Sequence, residues 1–161
     1  MSSRSKLLDR ATLVEQVREL RGRGQTLVLA NGLFDILHVG HLRYLEAAAA
    51  EADRLLVAVN SDDSARRLKG PNRPIVPAVE RAELVAAFAC VDLVTVFDES
   101  TVELLLRAIR PQVHCKGTDY TAENLPEADV ASELGIRIAI VGDRKTHATR
   151  DIIRQIRQSS D

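Results

Sequence analysis

The stretch that most limits what this chain can fold into is residues 25–59. Two short apolar runs, residues 25–30 (QTLVLA) and residues 54–59 (RLLVAV), flank a glycine-bearing polar loop and the segment LRYLEAAAAEA. Apolar runs of that length predict strands buried on both faces, the first ended by Asn31-Gly32. Residues 39–52 between them are rich in strong helix formers and put Leu42, Leu45 and Ala49 on one face, which predicts a helix. Strand, loop, helix, strand is a βαβ crossover, whose strands must be parallel and whose connection is right-handed. All-helical and antiparallel folds are thereby excluded.

The alternation continues on both sides. Upstream, Thr12 is placed to cap a helix carrying Leu13, Val17 and Leu20, ended by Gly22 and Gly24. Downstream, Pro71, Pro74 and Pro77 mark an extended surface loop, followed by a helix over residues 78–89 and a strand over 93–97. Asp98, Glu99 and Ser100 open the next expected helix, with Val102, Leu105, Leu106 and Ile109 at helical spacing until Pro111 stops it. Strands are expected at 113–116 and 136–141, a short helix around 126–134, and a last helix over 149–158 bearing Ile152, Ile153 and Ile156. Five strands alternating with helices predict an α/β protein, a Rossmann-like doubly wound five-stranded parallel sheet. A length of 161 residues holds one such domain, with an ordered core over about 6–158 and frayed ends at 1–5 and 159–161.

Composition removes several classes of function. Apolar residues make up 45% of the chain, enough for a sizeable core, but aromatics only 3% with no Trp, too few for stacking platforms that hold single-stranded nucleic acid. A net charge of −1 supplies no basic field, so neither nucleic acid nor an anionic membrane is an expected partner. No apolar run is long enough to span a bilayer and residues 1–6 carry no secretory pattern, so a cytoplasmic address is expected. Cys90 and Cys115 lack CxxC spacing and read as reduced core residues.

In an open parallel sheet, ligands bind beyond the carboxyl ends of the strands, which directs attention to Asn31-Gly32-Leu33-Phe34-Asp35-Ile36-Leu37-His38-Val39-Gly40-His41. His38 and His41, spaced i, i+3 at a strand-to-helix junction, share one side of a first helical turn whose N–H groups and dipole already favour an anion. Gly40 between them lets a ligand come close to the backbone. As a zinc signature HxxH is poor without a nearby Cys or a third ligand.

Gly32, Phe34, Asp35, His38, Gly40 and His41 resemble the G-x-F-D-x-x-H-x-G-H signature of the cytidylyltransferase-like nucleotidyltransferases. Within that superfamily the chain is similar to the ADP-heptose-forming branch, through Val59-Asn60-Ser61-Asp62, Arg67-Leu68-Lys69-Gly70, Arg73-Pro74, Glu80-Arg81 and Cys115-Lys116-Gly117-Thr118-Asp119-Tyr120. The resemblance implies transfer of AMP from ATP to D-glycero-D-manno-heptose 1-phosphate, with release of pyrophosphate. It assigns catalysis to His38, His41 and Lys69, and nucleotide binding to Asn31, Gly32, Phe34, Gly40, Gly142 and Thr149, to which the charge of Arg150 adds a further candidate contact with the nucleotide phosphates. The sugar phosphate falls to Asp35, Asn60, Asp62, Arg73, Arg81, Lys116, Gly117, Asp119 and Tyr120. From the residues alone, Asp35 is either a loop-stabilising or a sugar-facing group, and Asn60 and Asp62 either touch ligand or cap the helix starting at Asp62. Mg²⁺ is expected through the nucleotide phosphates rather than through a protein metal site. Relatives that use CTP, or acceptors such as glycerol 3-phosphate or FMN, and a non-catalytic nucleotide-binding module stand as alternatives. A homodimer is compatible with the sequence, though no segment demands an interface.

One segment departs from the family pattern. Where relatives carry Ser-Thr-Thr at the start of the last helix, this chain reads Thr146-His147-Ala148-Thr149-Arg150-Asp151. Only Thr149 keeps a hydroxyl in register, and Arg150 brings a cation in its stead. Altered phosphate contacts are expected there, with the acceptor and the adenine preference left open.

Overall fold

The structure is a computed structural model describing residues 2–121, 124–143 and 148–159. Its elements are α1 (Arg10–Gly22), β1 (Leu27–Gly32), α2 (Val39–Ala49), β2 (Arg54–Asn60), α3 (Asp62–Lys69), α4 (Ala78–Ala86), β3 (Leu93–Phe97), α5 (Glu103–Ile109), β4 (Val113–Lys116), α6 (Ala128–Leu134), β5 (Arg137–Ile140) and α7 (Thr149–Gln158). The five strands form one parallel sheet in the order β3-β2-β1-β4-β5. From β1 the chain builds outward through β2 and β3, then returns to place β4 on the other side. The crevice at that reversal, beyond the ends of β1 and β4, is where such sheets bind ligands.

Strand alternation sends side chains to two faces, each covered by helices. Val28, Ala30, Val57, Val59 and Cys115 pack on one face with Leu45 and Ala48 of α2 and Ala82 and Val85 of α4. Leu27, Leu29, Leu56 and Ala58 pack on the other with Leu13 of α1, Leu105, Leu106 and Ile109 of α5 and Val130 of α6. By the same alternation, Asn31, Asn60, His114 and Lys116 belong to the second face, at strand ends that open onto the crevice.

Several local expectations change. Asp9, not Thr12, caps α1: its carboxylate accepts from the Thr12 N–H at 2.7 Å, and Arg10 and Ala11 simply extend the helix backward. β1 is shifted to end at Gly32, because Asn31 and Gly32 still pair with Ala58 and Val59 of β2. Helices α2 and α4 stop three residues before their expected ends, and α5 starts at Glu103 instead of Asp98. Lys69, just ahead of the proline loop, is the last residue of α3. Ahead of α1, Ser3–Lys6 is a 3₁₀ turn, the Lys6 ammonium donates to Val91 O at 2.7 Å, and Leu8 N–H donates to Val94 O, shielding the β3 edge.

Candidate active site

A cavity of about 680 Å³ opens at the crevice, a volume within the range of small-ligand sites. It straddles the carboxyl edge of the sheet. Half of its lining comes from the first turns of α2 and α7 and the segment after β5, and the rest from the ends of β1, β2 and β4, the end of α3, the loop at Arg73 and the residues leading into α5 and α6.

In the first half, α2 opens on a capping box built from its own histidines. The Gly40 N–H donates to Nδ1 of His38 at 3.2 Å, and the His38 N–H donates to Nδ1 of His41 at 3.3 Å. A ring nitrogen that accepts a hydrogen bond carries no proton, so in the neutral ring the proton sits on Nε2. Both rings line the cavity with their centroids 3.9 Å apart, and Phe34 packs on His41. The close turn before them depends on Gly32, where a Cβ would lie 3.2 Å from the Phe34 ring. Facing this turn, α7 starts at Ala148 with no side-chain cap, its Thr149 hydroxyl donating to Ile36 O at 3.1 Å, while exposed Arg150 lines the rim. Gly142 completes the wall: its φ of 92° suits glycine, and a Cβ there would meet Tyr44 Cα at 3.3 Å.

The floor is braced by buried polar groups. The Asp35 carboxylate is sealed from solvent and accepts from Arg73 Nε at 2.6 Å and from the N–H groups of Ile75 and Val76. Burial raises its pKa, but those donors outweigh it and hold the carboxyl below the usual range. Asp35 is therefore the clamp of the loop ending at α4, and Arg73, bound among the described residues through Nε, also lines the cavity. Asp62 and Arg81, expected to bind the sugar phosphate, do not line the cavity. The Arg81 guanidinium is fully buried and is used up on Val76 O, Leu33 O and Asp62, whose carboxylate also accepts from Ala78 N–H. They form a brace between α3 and α4, which a motif cannot distinguish from a ligand contact.

The second half brings Asn31, Asn60, Lys69, Arg73, Lys116, Gly117, Asp119 and Tyr120 together as lining residues. The buried Asn60 amide donates to Ser64 Oγ at 2.9 Å, so it also anchors α3, capped by Ser61 rather than by Asn60 or Asp62. Lys116 is nearly buried; its ammonium lies 3.3 Å from Asn31 Oδ1, 3.6 Å from Glu127 Oε2 and 4.6 Å from the Tyr120 ring centroid. Burial pushes its pKa down, against the pull of Glu127. Because Lys116 can only donate, Asn31 Oδ1 is the acceptor, so His114 Nε2, 3.2 Å away, is the donor. That leaves Nδ1 of fully buried His114 without a partner among the described residues. Desolvation, then the Lys116 charge, drives the His114 pKa down to about 3, so the ring is neutral.

Sequence reasoning missed His114, Glu127, Tyr44 and Arg43. His114 sits two residues before Lys116, a strand spacing that puts both on one face. Tyr44, three residues after His41, follows the helical spacing of α2 and donates from its hydroxyl to Cys115 O at 2.9 Å. Arg43 pairs with Asp143 at 3.0 Å. Thr146 and His147 lie outside the described residues. Among the described residues no three His, Cys, Asp or Glu side chains converge as metal ligands, and no helix is long and apolar enough to cross a membrane.

An open parallel α/β sheet whose switch-point crevice receives a histidine-bearing helix N-terminus defines a nucleotide-phosphate-binding protein of the Rossmann-like class. The family model described as cytidylyltransferase-like matches residues 29–159; the chain belongs to that family and is a nucleotidyltransferase. It is 42% identical over 152 residues to the bifunctional protein HldE of Syntrophotalea carbinolica and 42% identical over 158 residues to that of Geotalea uraniireducens. Those alignments cover 94% and 98% of this chain but 31% and 32% of the relatives, so the chain spans about a third of their length. Among solved structures, a lipopolysaccharide core biosynthesis protein from Thermoplasma volcanium matches with a TM-score of 0.64 and 28% identity, over 76% of this chain and all of that one.

Proposed function

We propose that the chain transfers AMP from ATP to D-glycero-D-manno-heptose 1-phosphate, producing ADP-heptose and pyrophosphate. The observation that carries this reading is the convergence of two helix N-termini, α2 with its paired histidines and α7 with Thr149 and Arg150, on one cavity. Likeness to the HldE proteins and to a lipopolysaccharide core biosynthesis protein supports a heptose phosphate as acceptor.

The chemistry asks little of the protein. A phosphate monoester is already anionic at neutral pH, so it attacks the α-phosphate in line without a general base. Catalysis then consists of positioning the two phosphates and stabilising charge as it develops. His38 and His41 would donate from Nε2 to the ATP phosphates, with Nδ1 of each tied to backbone so that the rings need not reorganise. Arg150 and the N–H groups of α7 would hold the leaving pyrophosphate, while Lys69 and Arg73 would neutralise the incoming monoester. Mg²⁺ would arrive on the triphosphate as part of the substrate: of the four cavity carboxylates, Asp35, Glu127 and Asp143 each face a cation of the protein, and Asp119 is the fourth.

The test is pyrophosphate release in Mg²⁺ with ATP or CTP, each offered heptose 1-phosphate, glycerol 3-phosphate or FMN. Release with ATP and the heptose phosphate alone is expected. Release only with CTP or another acceptor overturns the assignment.

A further inference from the structure

We propose that Glu127, with Lys116, forms a subsite that recognises hydroxyl groups on the acceptor, making Glu127 a specificity-determining residue of this enzyme. The naming of that acceptor as a sugar phosphate rests on the function proposed above.

Glu127 is 2% exposed and lines the second half of the cavity. Its Oε2 finds no hydrogen-bond donor among the described residues; Lys116 at 3.6 Å is an ion-pair neighbour, beyond hydrogen-bond reach. Nor does the side chain cap α6, which it immediately precedes. A buried carboxylate oxygen left without a donor is costly, and native proteins rarely tolerate one unless something else completes it. Balancing the charge of buried Lys116 accounts for a carboxylate at this position but still leaves the oxygen without a donor among the described residues.

The surroundings select what completes it. Lys116 offers only N–H groups and Glu127 Oε2 only lone pairs, so the matching ligand must both accept and donate within about 4 Å, a separation at which Coulomb forces remain strong. An amine would be repelled by Lys116, and a second phosphate by Glu127. A hydroxyl, or a vicinal pair of them, satisfies both groups. Ser100 and Thr101 line the same cavity, as do the histidines and Arg150. The acceptor is thus read at two places: its phosphate by the cations nearer the nucleotide, its hydroxyls by Glu127.

Calorimetric titration of the full chain tests this, using heptose 1-phosphate, mannose 1-phosphate, inorganic phosphate and ATP as separate probes. The wild type should bind both sugar phosphates more tightly than inorganic phosphate. Glu127→Gln should weaken sugar-phosphate binding by about tenfold to a hundredfold, the worth of a hydrogen bond to a charged group, and leave ATP and inorganic phosphate unchanged. Glu127→Asp, which keeps a countercharge for Lys116 but withdraws the oxygen, should show the same selective loss and guards against misfolding of the first variant. Undiminished sugar-phosphate binding in both variants, an equal loss of ATP binding, or no wild-type preference for sugar phosphate would each overturn the proposal. If Glu127 governs sugar-phosphate binding but no pyrophosphate is released from ATP, the subsite stands and the proposed reaction falls. If Glu127→Gln turns over heptose phosphate normally, the reaction stands and the subsite falls.

Discussion

Two histidine-bearing segments meet this cavity, and they use the same side chain in opposite ways. In the first turn of α2, Nδ1 of His38 and of His41 each receives a backbone N–H, so the rings are locked by the helix they begin. At the end of β4, His114 gives its Nε2 hydrogen to Asn31 and keeps a buried Nδ1 with no partner among the described residues; one oxygen of Glu127 is in the same condition. The first segment is satisfied by local bonds and is preorganised for its task. The second is incomplete, and its unpaired buried polar atoms subtract from stability. Local sequence spacing suffices to build the one; only long-range folding assembles the other.

The sharpest way to break the comparison is His41→Ala. If the α2 turn carries transition-state charge, kcat for pyrophosphate release should fall by about a hundredfold to a thousandfold, the usual cost of removing one preorganised donor. Loss of half the capping box should cost only about 1 kcal/mol of folding stability, read as a small drop in the urea midpoint. A kcat within about threefold of wild type would mean that the turn is scaffold alone.

Acid separates the two segments next. The His114 pKa lies far below its ordinary value, so the unfolded chain binds the extra proton first as pH falls. Its contribution to stability is complete above about pH 6.5 and drains away toward pH 3, amounting to a few kcal/mol across that window. Asp35, in the loop that leads to α2, has a lowered pKa, so its contribution is complete above about pH 4 and is lost only below it. Between about pH 6.5 and 4.5, therefore, wild-type stability to urea should decline through His114. His114→Leu should flatten that slope, while Asp35→Asn should keep it and lower the whole curve by about 1–3 kcal/mol. An unchanged slope in His114→Leu would show that the β4 end bears no such burden.

The same contrast explains which features are legible in the sequence. Strands 93–97 and 113–116 and the last helix, 149–158, are observed at their expected bounds, because each is bracketed by strong local punctuation. His38, Gly40 and His41 are legible because the capping turn is itself a short-range pattern. Boundaries failed where two residues could serve equally, as at Asp9 and Thr12, or where an acidic run resembled a helix start, as at residues 98–100. Asp62 and Arg81 share the composition of ligand-binding residues, and only the buried geometry of the Arg81 guanidinium shows that they brace α4. Glu127 and His114 were invisible for the converse reason. Neither belongs to a motif, and what distinguishes them is an atom left unpaired, a property of packing.

The helix α7 lies between the two cases, and a small change decides to which it belongs. Its N-cap, Ala148, has the extended backbone of a capping residue, φ −142° and ψ 145°, but no oxygen to offer. Thr149 cannot substitute, since its hydroxyl is turned to Ile36 O. Ala148→Ser should therefore install the missing cap, adding about 0.5–1 kcal/mol and raising the melting temperature by a few degrees. If the bare N–H groups of α7 serve the triphosphate, the new hydroxyl competes for them, and KM for ATP should rise a few-fold while kcat holds. A variant that gains stability with no change in KM would mean that α7 needs no ligand at its first turn, and that Arg150 alone supplies its charge to the cavity. A rise in KM would place α7 with the end of β4, as a second element held short of its full stability so that substrate can supply the rest.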